Sequence, residues 1–453
     1  MSKNAALAVA VLVAVIIGIV LGTQMIESPE AVIPMTIEFL LLLGFTLLLI
    51  RRERDPATRG WLTKLILVAL LLRLAAVFVV YYVAPSPYFF ALDMLNFERE
   101  GELLSLYWQG VGPEPILQSS RQIAYPYINA FFHYLLGAST MGTAVLNVFA
   151  GTWTALLTFL LGREMLNDRV GKVAAVLVAV YPSLILWSVL NIRDALTTSI
   201  VALIVLVAVR SPKRRLRSLI VLAAALVVLS TFRDYMGILL LAGIGMGSIA
   251  AVRRGRVGTT ILVGTALTLV LVLIAVRFGM FSVEAIEDPL ASAARLRTGL
   301  QQGAGSVFGA GADTGTVSGA LRFLPLGLAF FLFAPFPWAV SGTLQLVTLP
   351  EVFLWYGLIP FTVMGLRSVM GSKSRQSLVV ISVLMVVLTT YALVEGNFGT
   401  AYRHRAQVMP LFFLFTAAGL VQFKLRRDAR RAGRMRFPPK GGSGARGRPV
   451  RRP

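Results

Sequence analysis

Long apolar stretches separated by short polar connections run through almost the whole chain. They fall at about 5–22, 33–50, 62–84, 141–161, 171–190, 194–209, 217–231, 235–251, 259–276, 350–367, 377–394 and 406–422. Each approaches the roughly 20 residues that a helix needs to cross a bilayer. The pattern predicts an all-α fold, a polytopic integral membrane helical bundle with about twelve crossings. Two further apolar stretches carry prolines, 123–137 with Pro126 and 321–340 with Pro325, Pro335 and Pro337. These are expected to be re-entrant or interfacial, because irregular backbone at membrane depth survives only when buried against protein.

Basic residues orient the bundle. Arg51, Arg52, Arg54, Arg59 and Lys64 follow the second run, and Arg163, Arg169 and Lys172 follow the fourth. Arg210, Lys213, Arg214, Arg215 and Arg217 follow the sixth, Arg253, Arg254 and Arg256 the eighth, and Arg367, Lys373 and Arg375 the tenth. Every second connection is basic, which places those connections and both termini in the cytoplasm. If either proline-bearing stretch alone crossed, this parity would break. A signal peptide at 1–22 competes with a first helix, but no small-x-small cleavage site is evident.

Composition narrows the class. The chain has 453 residues, 57% hydrophobic and only 14% charged, against roughly 25% charge in soluble proteins. The absence of cysteine excludes disulfides, thiolate metal sites and a cysteine nucleophile. Two histidines, His133 and His404, are too few for a multi-histidine centre. The net charge is +22, and residues 424–453 hold twelve Lys/Arg against Asp428, giving +11. That segment reads as a disordered basic cytoplasmic tail lying against anionic lipid, with no nucleic-acid partner. The glycines of 303–315 neither link a strand to a helix nor precede Gly-Lys-Ser/Thr, so they read as a mobile external loop rather than a phosphate-binding loop.

The same topology gathers polar residues on the external side. The loop 85–140 carries Asp93, Glu98, Glu100 and Tyr125; later turns carry Arg193 and Asp194, then Arg233 and Asp234, then Glu395, Arg403, His404 and Arg405. Positive-inside bias should deplete arginine there, and an ionisable residue at membrane depth is a functional candidate. Guanidinium groups match phosphate oxygens with paired hydrogen bonds, and a carboxylate opposite them can take a proton from a hydroxyl. The pattern implies a site at the outer boundary for a lipid-linked phosphate and a hydroxyl acceptor. Asp194 itself reads as a helix start, His133 as packing and His404 as a spectator. Arg73 and Glu38 lie inside predicted helices, where neutralisation by each other or by other partners is expected.

The order of features resembles a known family. Ala91-Leu92-Asp93-Met94 follows a crossing, then come Ala124-Tyr125-Pro126-Tyr127, Leu146-Asn147-Val148, Tyr181-Pro182-Ser183, Trp187-Ser188 and Arg193-Asp194-Ala195-Leu196. Phe336-Pro337-Trp338 and Gly396-Asn397-Phe398-Gly399-Thr400 lead on to Arg403. This succession is similar to the GT-C superfamily of membrane glycosyltransferases, in particular bacterial relatives of the family 39 protein mannosyltransferases. The resemblance covers roughly 62–210 and continues loosely beyond.

It implies transfer of a monosaccharide, with inversion, from a polyprenyl-phosphate donor to a hydroxyl of protein, glycan or lipid at the outer face of the cytoplasmic membrane. Asp93 would be the general base, and Arg193, Arg233, Arg403 and Arg405 would hold the donor phosphate. Glu98, Glu100, Tyr125, Asp234 and Glu395 would support these or the acceptor. The acidic residue that usually follows the aspartate is replaced by Met94. No cofactor and no metal ligand is assigned, although Asp93 with one nearby glutamate also suits a divalent ion. Residues 1–50 read as a two-helix extension, 51–423 as the GT-C-like module with external loops 85–140 and 277–349, and 424–453 as the tail. A polysaccharide polymerase or ligase using diphosphate-linked glycans is the alternative enzyme. A transporter or lipid flippase is the alternative of another class, disfavoured because no internal repeat is seen.

Overall fold

The computed structural model describes residues 29–84, 86–87, 90–117, 123–137, 141–210, 215–252, 289–302, 306–340, 342–372 and 374–436. The apolar runs 5–22 and 259–276 and the end of the basic tail lie outside these residues. The helices are α1 (Val32–Arg51), α2 (Pro56–Phe78), α3 (Asp93–Trp108), α4 (Ala124–Leu136), α5 (Met141–Met165), α6 (Asp168–Val180), α7 (Pro182–Leu186), α8 (Asp194–Val209), α9 (Arg215–Phe232), α10 (Asp234–Val252), α11 (Pro289–Gln301), α12 (Val317–Phe333), α13 (Thr343–Ser372), α14 (Arg375–Val394) and α15 (Phe398–Arg436). Among the described residues, extended pairing is confined to one isolated bridge, Val307 with Asn397.

Seven helical segments among the described residues are long and apolar enough to cross a membrane: Pro29–Arg51, Pro56–Val83, Met141–Met165, Asp234–Ala251, Gln345–Gly371, Arg375–Val394 and Phe398–Arg431. Shorter apolar helices cover Asp194–Val209, Leu216–Phe232 and Val317–Phe333. The stretch 171–190 is not one helix. Tyr181 takes an extended conformation (ψ 125°) ahead of Pro182, because the proline ring disfavours the helical region for the residue before it. The stretch 123–137 holds the 13-residue α4, about 20 Å long at 1.5 Å per residue and so shorter than the hydrocarbon core. Pro126 is accommodated because it falls in the helix's first turn. In the stretch 321–340, α12 ends ahead of a cis Ala334–Pro335 bond. The last helix continues to Arg436, past the start expected for the tail.

The local signals that start three of these helices are explicit. Asp55 caps α2 by accepting from the Thr58 N–H at 2.8 Å, with Pro56 at the first helical position. Asn167 caps α6 through the Val170 N–H at 3.0 Å. Ser374 caps α14 through the Ser377 N–H at 3.1 Å. Each cap satisfies an N–H group that the helix itself leaves open. At this end of the bundle Arg163 pairs with Glu53 at 2.5 Å and Arg210 with Glu164 at 3.3 Å.

α5 lies at the centre, packed by α1, α2, α6, α8 and α15. Where α13 crosses α15, Gly365 and Gly419 bring the two backbones together. A Cβ on Gly419 would meet the Phe361 carbonyl, and one on Gly365 the Phe415 carbonyl. Small residues at such crossings let dispersion contacts replace the hydrophobic drive that lipid does not supply. Gly419→Leu should therefore destabilise the bundle by about 1–3 kcal/mol, while Gly371→Ala, which meets no heavy atom within 4 Å, should be silent. Thermal unfolding in detergent checks this; equal midpoints for the two variants would contradict the crossing.

Candidate active site

At the opposite end of the bundle, side chains from the α9–α10 corner and from α15 converge on Asp194, the first residue of α8 and 2% exposed. A helix N-terminus favours a carboxylate, but a buried one also needs charged partners. Arg403, from the second turn of α15, donates its Nε to Asp194 Oδ2 at 2.7 Å. Arg233, in the corner between α9 and α10, donates Nη2 to Oδ1 at 3.2 Å. Gln407 donates its amide to the same oxygen. Arg403 also reaches outward, with Nη1 donating to Asp93 Oδ2 at 2.7 Å. The second arm of Arg233 donates to the Tyr235 hydroxyl at 3.0 Å. One guanidinium thus bridges two aspartates that lie 101 positions apart in the chain.

Arg193 completes the cluster. Its guanidinium lies 5.5 Å from the centre of the Phe97 ring, and its Nε has no hydrogen-bond partner. It makes no ion pair among the described residues. Burial, and then the like charges of Arg233 and Arg403, push its pKa down to about 10. The ion pairs to Asp93 and Asp194 take up Arg233 and Arg403, and Arg193 stands beside them outside any ion pair among the described residues. A guanidinium outside any ion pair is chemically suited to an anion.

A buried polar network fixes the turn that presents Arg193 and Asp194. The Tyr125 hydroxyl donates to Asn191 Oδ1 at 2.8 Å and accepts from Asn147 Nδ2 at 2.9 Å. Asn147 also donates to the carbonyls of Leu190 and Ile192 at 2.8 and 2.9 Å, and Asn191 donates to Asn129 Oδ1 at 2.8 Å. These bonds tie α4 and α5 to residues 190–192. Glu98 accepts from Asn191 at 3.4 Å. Tyr125, expected near the acceptor, is fully buried in this network.

The remaining candidates occupy other places. Arg405 does not join the cluster; its Nη1 donates to the carbonyls of Leu332 and Ala334 at 2.9 and 2.8 Å. Two residues along a helix is about 200° of rotation, so Arg403 and Arg405 face opposite ways, whereas Gln407 at i+4 shares the face of Arg403. Glu395 is buried, with its carboxylate against His404 and accepting from the Thr400 hydroxyl at 2.7 Å. His404, expected as a spectator, is therefore paired. Glu100 is buried on α3, and Asp234 accepts from the Tyr235 N–H at 3.0 Å. Among the described residues, no group of three or more His, Asp or Glu could hold a metal ion. Sequence reasoning missed the central role of Asp194, the partner Gln407, and Glu351 in α13. Glu351 accepts from the Ser183 N–H at 2.6 Å and the Tyr402 hydroxyl at 2.8 Å. Gln407 was detectable as an amide inside an apolar run, one turn from Arg403.

Comparison with known proteins bears on the fold. Residues 120–278, about a third of the chain, match the family described as dolichyl-phosphate-mannose-protein mannosyltransferase. The oligosaccharyltransferase AglB of Archaeoglobus fulgidus, solved with an inhibitory peptide and a dolichol-phosphate, superposes with a TM-score of 0.50 at 12% identity, covering 87% of this chain and 53% of that one. ArnT of Cupriavidus metallidurans, bound to undecaprenyl phosphate, gives 0.51 at 13% identity, covering 83% and 63%. The chain thus spans between about half and two thirds of the length of these solved structures. No curated protein matches it. The chain has the GT-C fold of membrane glycosyltransferases, and part of it is similar in sequence to the dolichyl-phosphate-mannose-protein mannosyltransferases.

Tyr125→Phe removes the hydroxyl that links Asn191 to Asn147. It should lower stability by about 1–3 kcal/mol, the consequence of leaving a buried acceptor unmet. Thermal unfolding of the variant measures this directly; an unchanged midpoint would show that the network does not hold the turn.

Proposed function

We propose that the chain transfers a monosaccharide from a polyprenyl-phosphate donor to a hydroxyl acceptor, with inversion, at the non-cytoplasmic face of the cell membrane. The observation that carries this reading is Arg403 spanning Asp93 and Asp194 beside the unmatched Arg193. The alternation of basic connections supports placing this end of the bundle outside. The solved relatives hold a dolichol-phosphate and undecaprenyl phosphate, which supports the donor class; fold by itself does not supply function.

The chemistry follows from the charges. The acceptor oxygen attacks the anomeric carbon, its proton passes to the Asp93 carboxylate, and the bond from that carbon to the phosphate oxygen breaks with its electron pair left on the phosphate. The transition state has oxocarbenium character. Phosphate is a weak base, so the leaving group needs charge stabilisation rather than a general acid. Arg193 and Arg403 supply it, with Arg233 holding Asp194 in place. The side chain of Asp93 is 37% exposed, which leaves it open to an acceptor, and phosphate competes with Asp93 for the outer arm of Arg403. An arriving donor thereby releases the base at the moment it is needed. Asp194 stays ionised and buried, and keeps Arg233 and Arg403 aligned.

Membranes containing the chain should transfer label from a radiolabelled polyprenyl-phosphate sugar and not from a diphosphate-linked oligosaccharide; the opposite preference would favour the polymerase or ligase. Asp93→Asn should lower kcat by roughly 10²–10⁴ with the donor KM little changed, and turnover at the wild-type rate would reject its role. Arg193→Ala should instead raise the donor KM roughly ten- to a hundredfold, the loss of one charge-assisted contact. An unchanged KM would remove Arg193 from the phosphate site.

A further inference from the structure

Several buried polar groups take no part in the chemistry above. Arg73 donates Nη1 to the carbonyls of Ala69 and Ala179, each at 3.2 Å. Among the described residues it forms no ion pair, with Glu38 or with any other acid, contrary to the neutralisation expected from the sequence. Gln407 and Tyr391, each 1% exposed, differ in that their hydrogen bonds lead directly to Asp194.

An ionised carboxylate only accepts hydrogen bonds, with about two lone-pair sites on each oxygen. Asp194 Oδ1 accepts from Arg233 Nη2 at 3.2 Å and from the Gln407 amide. Oδ2 accepts from Arg403 Nε at 2.7 Å, and Arg403 Nη2 stands 2.5 Å from the same oxygen. Each oxygen therefore meets two N–H donors. Nη1 of Arg403 is left to reach outward to Asp93.

Gln407 can face Asp194 only with its NH2 group, so its carbonyl oxygen must point elsewhere. Tyr391, in the last turn of α14, donates its hydroxyl to that oxygen at 2.7 Å. With the amide reversed, two acceptors would oppose each other at Asp194, and the Tyr391 hydroxyl would lose its acceptor. The Tyr391 ring is itself held. Phe331 of α12 and His404 of α15 stack on it with centroids at 5.3 and 5.1 Å, and His404 is paired with Glu395.

We infer that Gln407, oriented by Tyr391, is a positioning residue for the transfer reaction, a role that rests on the function proposed above. It gives Asp194 a fourth N–H donor without committing a further cation. A buried carboxylate short of one donor draws more heavily on its guanidinium partners. The arm of Arg403 that would meet the donor phosphate is then the one drawn away.

The test uses the full-length chain in lipid vesicles, with turnover measured against the concentration of a radiolabelled polyprenyl-phosphate sugar. Gln407→Met keeps the length of the side chain and removes both polar atoms. It should raise the donor KM about three- to tenfold, the loss of one hydrogen bond to a charged group, with kcat little changed. Tyr391→Phe keeps the ring and should raise KM by a smaller factor. In the Gln407→Met background it should add nothing to KM, because the hydroxyl acts through the amide. A merely structural role would lower the unfolding midpoints and leave KM alone. Gln407→Met decides the matter if Tyr391→Phe does not fold. Wild-type transfer with an unchanged KM in Gln407→Met, or independent effects of the two substitutions on KM, would overturn this role alone. A wild-type chain that transfers no label would overturn the proposed function and this role with it.

Discussion

The architecture at the functional end depends on a buried carboxylate that cannot be left alone. Asp194 sits at 2% exposure, where an isolated ionised group would be penalised by several kcal/mol. Its two oxygens draw in Arg233 from 39 residues away and Arg403 from 209 residues away. Because these side chains come from the α9–α10 corner and from α15, meeting the demand of one charge fixes three elements. Arg403 then carries the constraint outward to Asp93 and so to the start of α3.

Around this hub, neutral networks restrain the backbone. Asn147, Tyr125, Asn191 and Asn129 hydrogen-bond to one another and to the backbone of residues 190 and 192, which holds the turn that presents Arg193 and Asp194. On the far side, Arg297 of α11 donates to the carbonyls of Glu395, Phe308 and Gly309. The Phe308 and Phe398 N–H groups pair with the Gly396 and Ser306 carbonyls at 3.0 and 3.1 Å. The segment after α11 is thereby fastened to the connection that leads into α15. A preorganised set of charges is what electrostatic catalysis requires, since groups already aligned need no reorganisation in the transition state.

Much of the helix pattern was legible because membrane-crossing helices announce themselves by length and hydropathy. What hydropathy cannot see is backbone stereochemistry inside an apolar run. The break at Tyr181–Pro182 follows from proline's restriction on its predecessor, and it divides a stretch that reads as one crossing. Apolar averaging also trims polar turns from helix ends. α15 begins at Phe398, not near 406, so Arg403 and Arg405 are helical and take opposite faces. Treating them as an external turn grouped them wrongly; helical phase would have kept Arg403 with Gln407. The local reading of Asp194 as a helix start is correct as far as it goes. Its partners lie too far along the chain for any local rule to find.

A structure of the chain with a bound polyprenyl phosphate tests the central claim most directly. Phosphate oxygens within hydrogen-bond distance of Arg193 and Arg403, with the outer arm of Arg403 drawn from Asp93, are the expected result. A phosphate bound elsewhere, with Arg403 still spanning Asp93 and Asp194 and Arg193 untouched by ligand, would contradict it.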